Sequence, residues 1–165
     1  MRLLCRALCI ALAGICFLLG MQYALAAEPI RIGVTASLTG VYASPGSSLL
    51  EGLQMWADDV NSRGALLGRK VEIVHYDDAS DPEKSAALYE RLISQDGVDL
   101  LIGPYASDVT LAASEVAERH DLPMVSGSAA AGEIWNRGFQ NIFQVDAQAS
   151  RYMDLLIESA SGAGL

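Results

Sequence analysis

The chain predicts an α/β fold, an open parallel sheet with helices on both faces. Three observations carry that reading. Short apolar, β-branched runs alternate with longer segments whose apolar residues recur every three or four positions. Turn residues separate them at short spacing, which favours parallel strands joined by right-handed helical crossovers. The third apolar run, Val98 to Ile102, carries a single polar residue, as a strand buried on both faces requires.

Ile30 to Thr35 (IRIGVT) reads as the first strand. Ser48 and Glu51 stand at capping-box spacing, and Leu49, Leu53, Trp56 and Val60 recur at helical intervals, which places Trp56 in the core. That helix stops at Arg63-Gly64, where glycine takes the left-handed position. Lys70 to Tyr76 (KVEIVHY) alternates and reads as the second strand. Asp81-Pro82-Glu83 starts the next helix: a capping carboxylate, proline in the first turn, then an acid facing the positive end of the dipole. Leu88, Tyr89, Leu92 and Ile93 line it, and Asp96-Gly97 ends it. After the third strand, Ser107-Asp108 caps a helix running to about His120, with Val109, Ala113, Val116 and Ala117 inward. Leu122 to Ser126 reads as a fourth strand, Gly127 to Gly132 as a loop of small residues, and Ile142 to Val145 as a short fifth strand. Ala147 to Ser161 reads as a last helix with Tyr152, Leu155, Leu156 and Ser159 on one face.

Ahead of this domain, residues 1–26 read as a secretory signal peptide. Arg2 and Arg6 make its positive start, and Ala7 to Leu19 is an uncharged apolar run shorter than the ~20 residues a membrane-spanning helix needs. Ala24-Leu25-Ala26 puts small residues where a signal peptidase cuts, after Ala26 or Ala27. Ile15 before Cys16 is too large for a lipoprotein signal. The mature protein is thus expected in the periplasm, with no membrane insertion after cleavage. Removing 26 of the 165 residues leaves 139, enough for one domain with a real core. Cys5, Cys9 and Cys16 all leave with the signal, which excludes a disulfide, a thiolate nucleophile and a cysteine metal site from the mature part. Loss of Arg2 and Arg6 takes the net charge from −9 to −11. Such an acidic surface repels phosphate backbones and anionic lipid, so nucleic-acid and membrane-surface binding are excluded.

In an open parallel sheet, ligands sit beyond the carboxyl ends of the strands. Three loops there are rich in small and hydroxyl residues: Ala36 to Gly46, Gly103 to Ser107, and Gly127 to Gly132. Small side chains let a ligand approach the backbone, and hydroxyls beside free N–H groups at helix starts suit a carboxylate. Catalysis finds less support. The Gly64 to Lys70 stretch lacks phosphate-loop spacing, and Ser126 stands where a nucleophile elbow around Ser128 would need glycine. His75 on the second strand and His120 at a helix end read as surface or satisfied histidines. Asp77, Asp78 and Asp81 fit no EF-hand spacing and read as loop polarity plus a helix cap. Trp135 reads as core or as a cleft wall beside the fourth-strand loop. No cofactor and no metal is called for.

The runs IRIGVTASLTGVYASPG, GLQMWADDVNSRGALLGRKVEIVHYDDASDPEKS and LIGPYASDVTLAASEVAERHDLPMVSGSAA resemble the periplasmic leucine/isoleucine/valine-binding family, the solute-binding proteins of branched-chain amino acid ABC importers. The resemblance covers the mature chain from Ile30 onward; its most specific pieces are Asn61-Ser62-Arg63-Gly64, Tyr76-Asp77-Asp78 to Asp81-Pro82, and Ile102-Gly103-Pro104. It implies a Rossmann-like first lobe of a type I periplasmic binding protein fold over residues 27–146. Residues 147–165 would lead toward a second lobe. It also implies a non-enzymatic role: binding a small-molecule solute and delivering it to the membrane permease of an ABC importer. By position, Ser107 would grip the ligand carboxylate through hydroxyl and N–H, with Tyr105 and Ala106 beside it. Ser128 would turn a carbonyl to the ammonium, and Ala129 and Ala130 would complete the third loop. Two positions depart from the family's pattern. Ala130 stands where leucine-type members often place a threonine, and Pro45 where they carry an aromatic residue. The solute is therefore left as an amino acid, an amide, a urea-like compound or an organic acid. Family members enclose the ligand between two lobes, and the chain ends at Gly162-Ala163-Gly164-Leu165, so it is read as a fragment whose lobe alone should not bind amino acids usefully. The rival readings are the ligand-binding ectodomain of a sensory receptor and a small α/β enzyme.

Overall fold

A computed structural model describes residues 27–163; the signal read over residues 1–26 lies outside the described residues. Five strands, β1 (Ile30–Ala36), β2 (Val71–Asp77), β3 (Leu100–Ile102), β4 (Met124–Ser126) and β5 (Ile142–Gln144), form one sheet in the order β2-β1-β3-β4-β5. Every pairing is parallel, with Val34 opposite His75 on one side and Ile102 on the other. The connections are α1 (Ala43–Ser62), α2 (Pro82–Ser94), α3 (Ser107–Arg119) and the single turn α4 (Gly132–Trp135). A 3₁₀ turn (Ala149–Arg151) and α5 (Asp154–Gly162) follow β5.

The period of β1 decides which helix lies on which face. Ile30, Ile32, Val34 and Ala36 pack with Leu50 and Ala57 of α1. On the other face, Val98, Leu101 and Met124 pack with Tyr89 and Leu92 of α2 and with Ala113, Val116 and Ala117 of α3. Gly33 lets that layer close, since a Cβ there would stand 3.1 Å from Leu101 and Val98. Helices on both faces and a parallel sheet are as the sequence predicts.

Local signals held where they were strongest. Asp81 accepts hydrogen bonds from the N–H groups of Glu83 (2.9 Å) and Lys84 (3.2 Å), with Pro82 in the first turn. Gly64 takes φ +105° just past α1. Several readings are corrected. Helix α1 begins at Ala43, not Ser48; Pro45 sits in its first turn, where its ring needs no N–H, and the Ser48 hydroxyl donates to the Ser44 carbonyl instead of capping. The helix turns Gly46, Leu50, Leu53, Ala57 and Val60 inward, so Trp56 falls at the edge of the stripe and is 42% exposed rather than core. Strand β3 packs on both faces, through Leu101 on one and Ile102 on the other, but Leu100 at its start is 39% exposed. The last helix is divided at Tyr152-Met153, and Tyr152 and Leu156 are more than half exposed.

The aspartates after β2 do more than make a polar loop. Asp78 is fully buried and accepts from the hydroxyls of Thr35 (2.8 Å) and Ser37 (2.6 Å) and from the Ser80 N–H (2.9 Å). Thr35 shares its hydroxyl with Ser85 of α2 (2.8 Å), and its N–H donates to the Tyr89 phenol (3.3 Å), which donates to the Ile102 carbonyl. Burial pushes the Tyr89 phenol far above its ordinary range, so it stays a neutral donor. Asp77 accepts from Leu38, Thr39 and Ala79 N–H groups and from the Thr39 hydroxyl. This latch ties the carboxyl ends of β1, β2 and β3 to α2.

Candidate functional site

The order β2-β1-β3-β4-β5 places the switch point between β1 and β3, where successive connections leave toward opposite faces and a crevice opens at the carboxyl edge. An open cleft of about 590 Å³ lies at this edge, lined by Tyr42, Tyr105, Ala106, Ser107, Asp108, Leu111, Ser128, Ala130 and Glu133. Gly103 brings the ends of β3 and β4 together: a Cβ would stand 3.0 Å from that of Ser126.

Ser107 is the first residue of α3, not its cap. Ala106 holds the capping position in extended conformation (φ −88°, ψ 148°) with no side-chain cap bond. The Ser107 hydroxyl therefore faces the next loop and accepts from the Ala131 N–H at 3.3 Å. The start of a 13-residue helix turns N–H donors and a partial positive charge into the cleft. Thr110 anchors the approach to this turn by donating to the Pro104 carbonyl (3.0 Å). Across the cleft, the buried Ser128 hydroxyl has no hydrogen-bond partner among the described residues. A buried hydroxyl without a partner costs free energy.

Five of the residues expected at the site, Tyr105, Ala106, Ser107, Ser128 and Ala130, meet around this cleft. Ala129 does not line it. It is buried, with its carbonyl accepting from Trp135 Nε1 (3.3 Å) and Gln144 Nε2 (3.4 Å), and it braces the loop from behind. Trp135 thereby acts as a strut. Pro45 is spent on the first turn of α1. Sequence reasoning missed Tyr42, Asp108, Leu111 and Glu133. Tyr42 pairs with Tyr105, ring centroids 6.2 Å apart at 56°, and its hydroxyl lies 3.5 Å from Asp108 Oδ2. Glu133 arrives on α4, which begins at Gly132, the last residue of the expected loop, and Arg137 holds that turn against α3 by donating to Leu111 O, Ser114 Oγ and Glu115 Oε1. Asp108 had one signal, its place beside Ser107 at the helix start.

The histidines stay outside: His75 is exposed on β2, and His120 pairs with Glu90 (2.7 Å) on the α2–α3 surface. A second cavity of about 820 Å³, lined in part by Pro29, Gly64 and Lys70, opens at the opposite edge of the sheet, away from the convergent polar groups. Among the described residues, no group of three or more acidic, histidine or cysteine side chains is placed to hold a metal. None of their helices is long and apolar enough to cross a membrane.

The model of the periplasmic binding protein family matches residues 29–164. The Leu/Ile/Val-binding protein of Escherichia coli is 33% identical over 133 residues, covering 81% of this chain and 36% of that protein. The leucine-, isoleucine-, valine-, threonine- and alanine-binding protein of Pseudomonas aeruginosa is 33% identical over 123 residues, 74% of this chain and 33% of that one. Among solved structures, the branched-chain amino acid transporter substrate-binding protein of Streptococcus pneumoniae, in complex with isoleucine, superposes with a TM-score of 0.70 at 27% identity. It covers 76% of this chain and 38% of that one. A solute-binding protein from Rhodopseudomonas palustris in complex with 3,4-dihydroxybenzoic acid shares the fold, with a TM-score of 0.72 at 22% identity over 83% of this chain and 37% of its own. The chain spans about a third of the length of the curated relatives it matches. It belongs to the periplasmic binding protein family, whose members matched here are solute-binding proteins and not enzymes.

Proposed function

We propose that this member of the periplasmic binding protein family is the exported solute-binding component of an ABC importer, and that its cleft holds the head of an amino acid or related small polar solute. The observation that carries the reading is the pairing of a helix start with an unpartnered, buried Ser128 hydroxyl in one cleft at the carboxyl edge of the sheet. The solute carboxylate sits on the N–H and hydroxyl of Ser107 and the N–H of Ala130. An ammonium or amide group sits against the carbonyl of Ser128. Residues 1–26 direct export to the periplasm and are then removed, and the loaded protein docks on a membrane permease. That relatives sharing this fold are named for different solutes supports leaving the side-chain end of the ligand to the loops rather than to the fold.

Titration calorimetry on the product of the full reading frame, with a panel of amino acids and amides, tests the reading. Ser107→Ala should weaken binding of every solute in the panel. A hydrogen bond to a charged group contributes roughly 1.5–3 kcal/mol, on the order of tenfold to a hundredfold in affinity. Unchanged affinity in a folded variant would remove Ser107 from the site.

A further inference from the structure

Two residues of the loop between β2 and α2 carry backbone strain. Ala79 (φ 56°) and Ser80 (φ 63°) are consecutive left-handed residues, and neither is glycine. That region is costly for any residue with a Cβ, and two in succession persist only where the surroundings over-determine them. Here the surroundings are carboxylates: Asp77 Oδ1 accepts from the Ala79 N–H (2.8 Å) and Asp78 Oδ1 from the Ser80 N–H (2.9 Å). The conformation they enforce aims one side chain. The Ser80 hydroxyl reaches across to the loop after β1, where it accepts from the Tyr42 N–H (3.0 Å) and donates to the Thr39 carbonyl (3.0 Å). It thus serves both ends of one turn. Gly40 leaves it room, since a Cβ there would overlap Ser80 Oγ and the Ala79 carbonyl oxygen.

Tyr42 is the residue at which that turn meets the cleft, and with Tyr105 it makes the aromatic part of the lining. The contacts of its ring are loose: a tilted pair with Tyr105 at 6.2 Å, and a hydroxyl 3.5 Å from Asp108, the residue after Ser107. Its place therefore follows from its backbone, whose N–H is held by Ser80 and whose carbonyl accepts from the Gly46 N–H (2.9 Å). A turn that closed Thr39 directly on Tyr42 would need neither the hydroxyl nor the strain in the neighbouring loop. We infer that Ser80 is a positioning residue of the cleft. It lies outside the lining, and its hydroxyl sets the place of Tyr42 and so of the aromatic wall beside the solute head. The inference rests on the placement of that head at Ser107.

Ser80→Gly separates this role from a structural one, because it removes the hydroxyl and relieves the strained φ at once. On the product of the full reading frame, calorimetry with a panel of L-amino acids and small amides selects the tightest binder as the probe. Ser80→Gly should weaken that compound about three- to tenfold, the span of one net hydrogen bond, while the melting temperature stays at or above that of the wild type. Amide hydrogen exchange at Tyr42 should quicken in the same variant. Tyr42→Ala should weaken the probe at least as much, and adding Ser80→Gly to it should weaken the probe no further, a non-additivity that a merely structural role would not produce. Unchanged affinity in Ser80→Gly, with Ser107→Ala still weakening the probe, would overturn the positioning role and leave the head-group site standing. Losses that add in the double variant would overturn the route through Tyr42. An affinity unmoved by Ser107→Ala, or no binding by any member of the panel, would overturn the reading of the site and this inference with it.

Discussion

Two polar clusters lie at the same edge of the sheet and are built on opposite terms. The latch behind β1 is closed: Asp78, Thr35, Ser37 and Ser85 are each fully buried, and each side-chain oxygen has a partner. The cleft in front of β3 and β4 is open: the buried Ser128 hydroxyl has no partner among the described residues, and neither Asp108 nor Glu133 forms an ion pair among them. Buried polar groups that satisfy one another hold a backbone in place, and those left over are available to a ligand. The first cluster fixes where the loops begin, so that the second can be left incomplete without the loops collapsing into it.

The sharpest way to break this contrast is to open the latch. Asp78→Ala leaves the Thr35 and Ser37 hydroxyls and the Ser80 N–H unmatched in the core, and should destabilise the fold by about 3 kcal/mol in chemical denaturation. A loss under ~1 kcal/mol would mean that the network is ornamental. Ser128→Ala should act in the other direction. It removes a hydroxyl that is dehydrated and unpaired, so the free protein should unfold at the same or a higher denaturant concentration, by up to about 1 kcal/mol. A clear destabilisation would show that the cleft hydroxyl is structurally satisfied after all.

The smallest expected effect concerns Asp77, at the exposed margin of the latch. Partial burial raises its pKa, but the Thr39 hydroxyl and the N–H groups of Ala79, Leu38 and Thr39 outweigh that and hold it below its ordinary 3.8. A carboxylate depressed in the folded state adds stability that is present above the unfolded value and lost as pH falls through the folded one. Stability should therefore decline below about pH 4 less steeply in Asp77→Asn than in the wild type, measured by denaturation across pH 2–6. Identical slopes would show that these bonds do not distinguish the two protonation states.

How much of this was legible in the sequence follows the distance over which each feature is determined. The cap at Asp81 was readable because its partners are two and three residues away. The parallel sheet was readable from alternation, and Tyr105, Ala106, Ser107, Ser128 and Ala130 from their places just past strands. The latch was not, because Asp78 reaches Thr35 and Ser37 across 43 and 41 positions, and nothing local distinguishes it from a loop aspartate. Trp56 was misplaced because it stands three residues after Leu53 and four before Val60, a helical spacing that its neighbour Ala57 meets as well, and it is the smaller Ala57 that lies against the sheet. Ser107 was read one position too early in the cap because Ala106, which has no capping group, takes the extended conformation there. Tyr42 and Glu133 reach the cleft only through the folded course of their loops, and the alanine-rich stretch gave no sign that Gly132 begins a turn of helix.

Gly46 has a mechanical consequence. A Cβ there would stand 2.3 Å from the Ser37 carbonyl oxygen, so the first turn of α1 rides directly on the backbone leaving β1. That contact is backbone against backbone, with no side chain between to flex. Tyr42 lies on the short arc between the two points, its own N–H held by the Ser80 hydroxyl (3.0 Å), so any rotation of α1 as a rigid rod carries the aromatic wall of the cleft with it. The far end of that rod, sixteen residues away at Ser62, is then a handle by which force applied at the opposite edge of the lobe reaches the cleft.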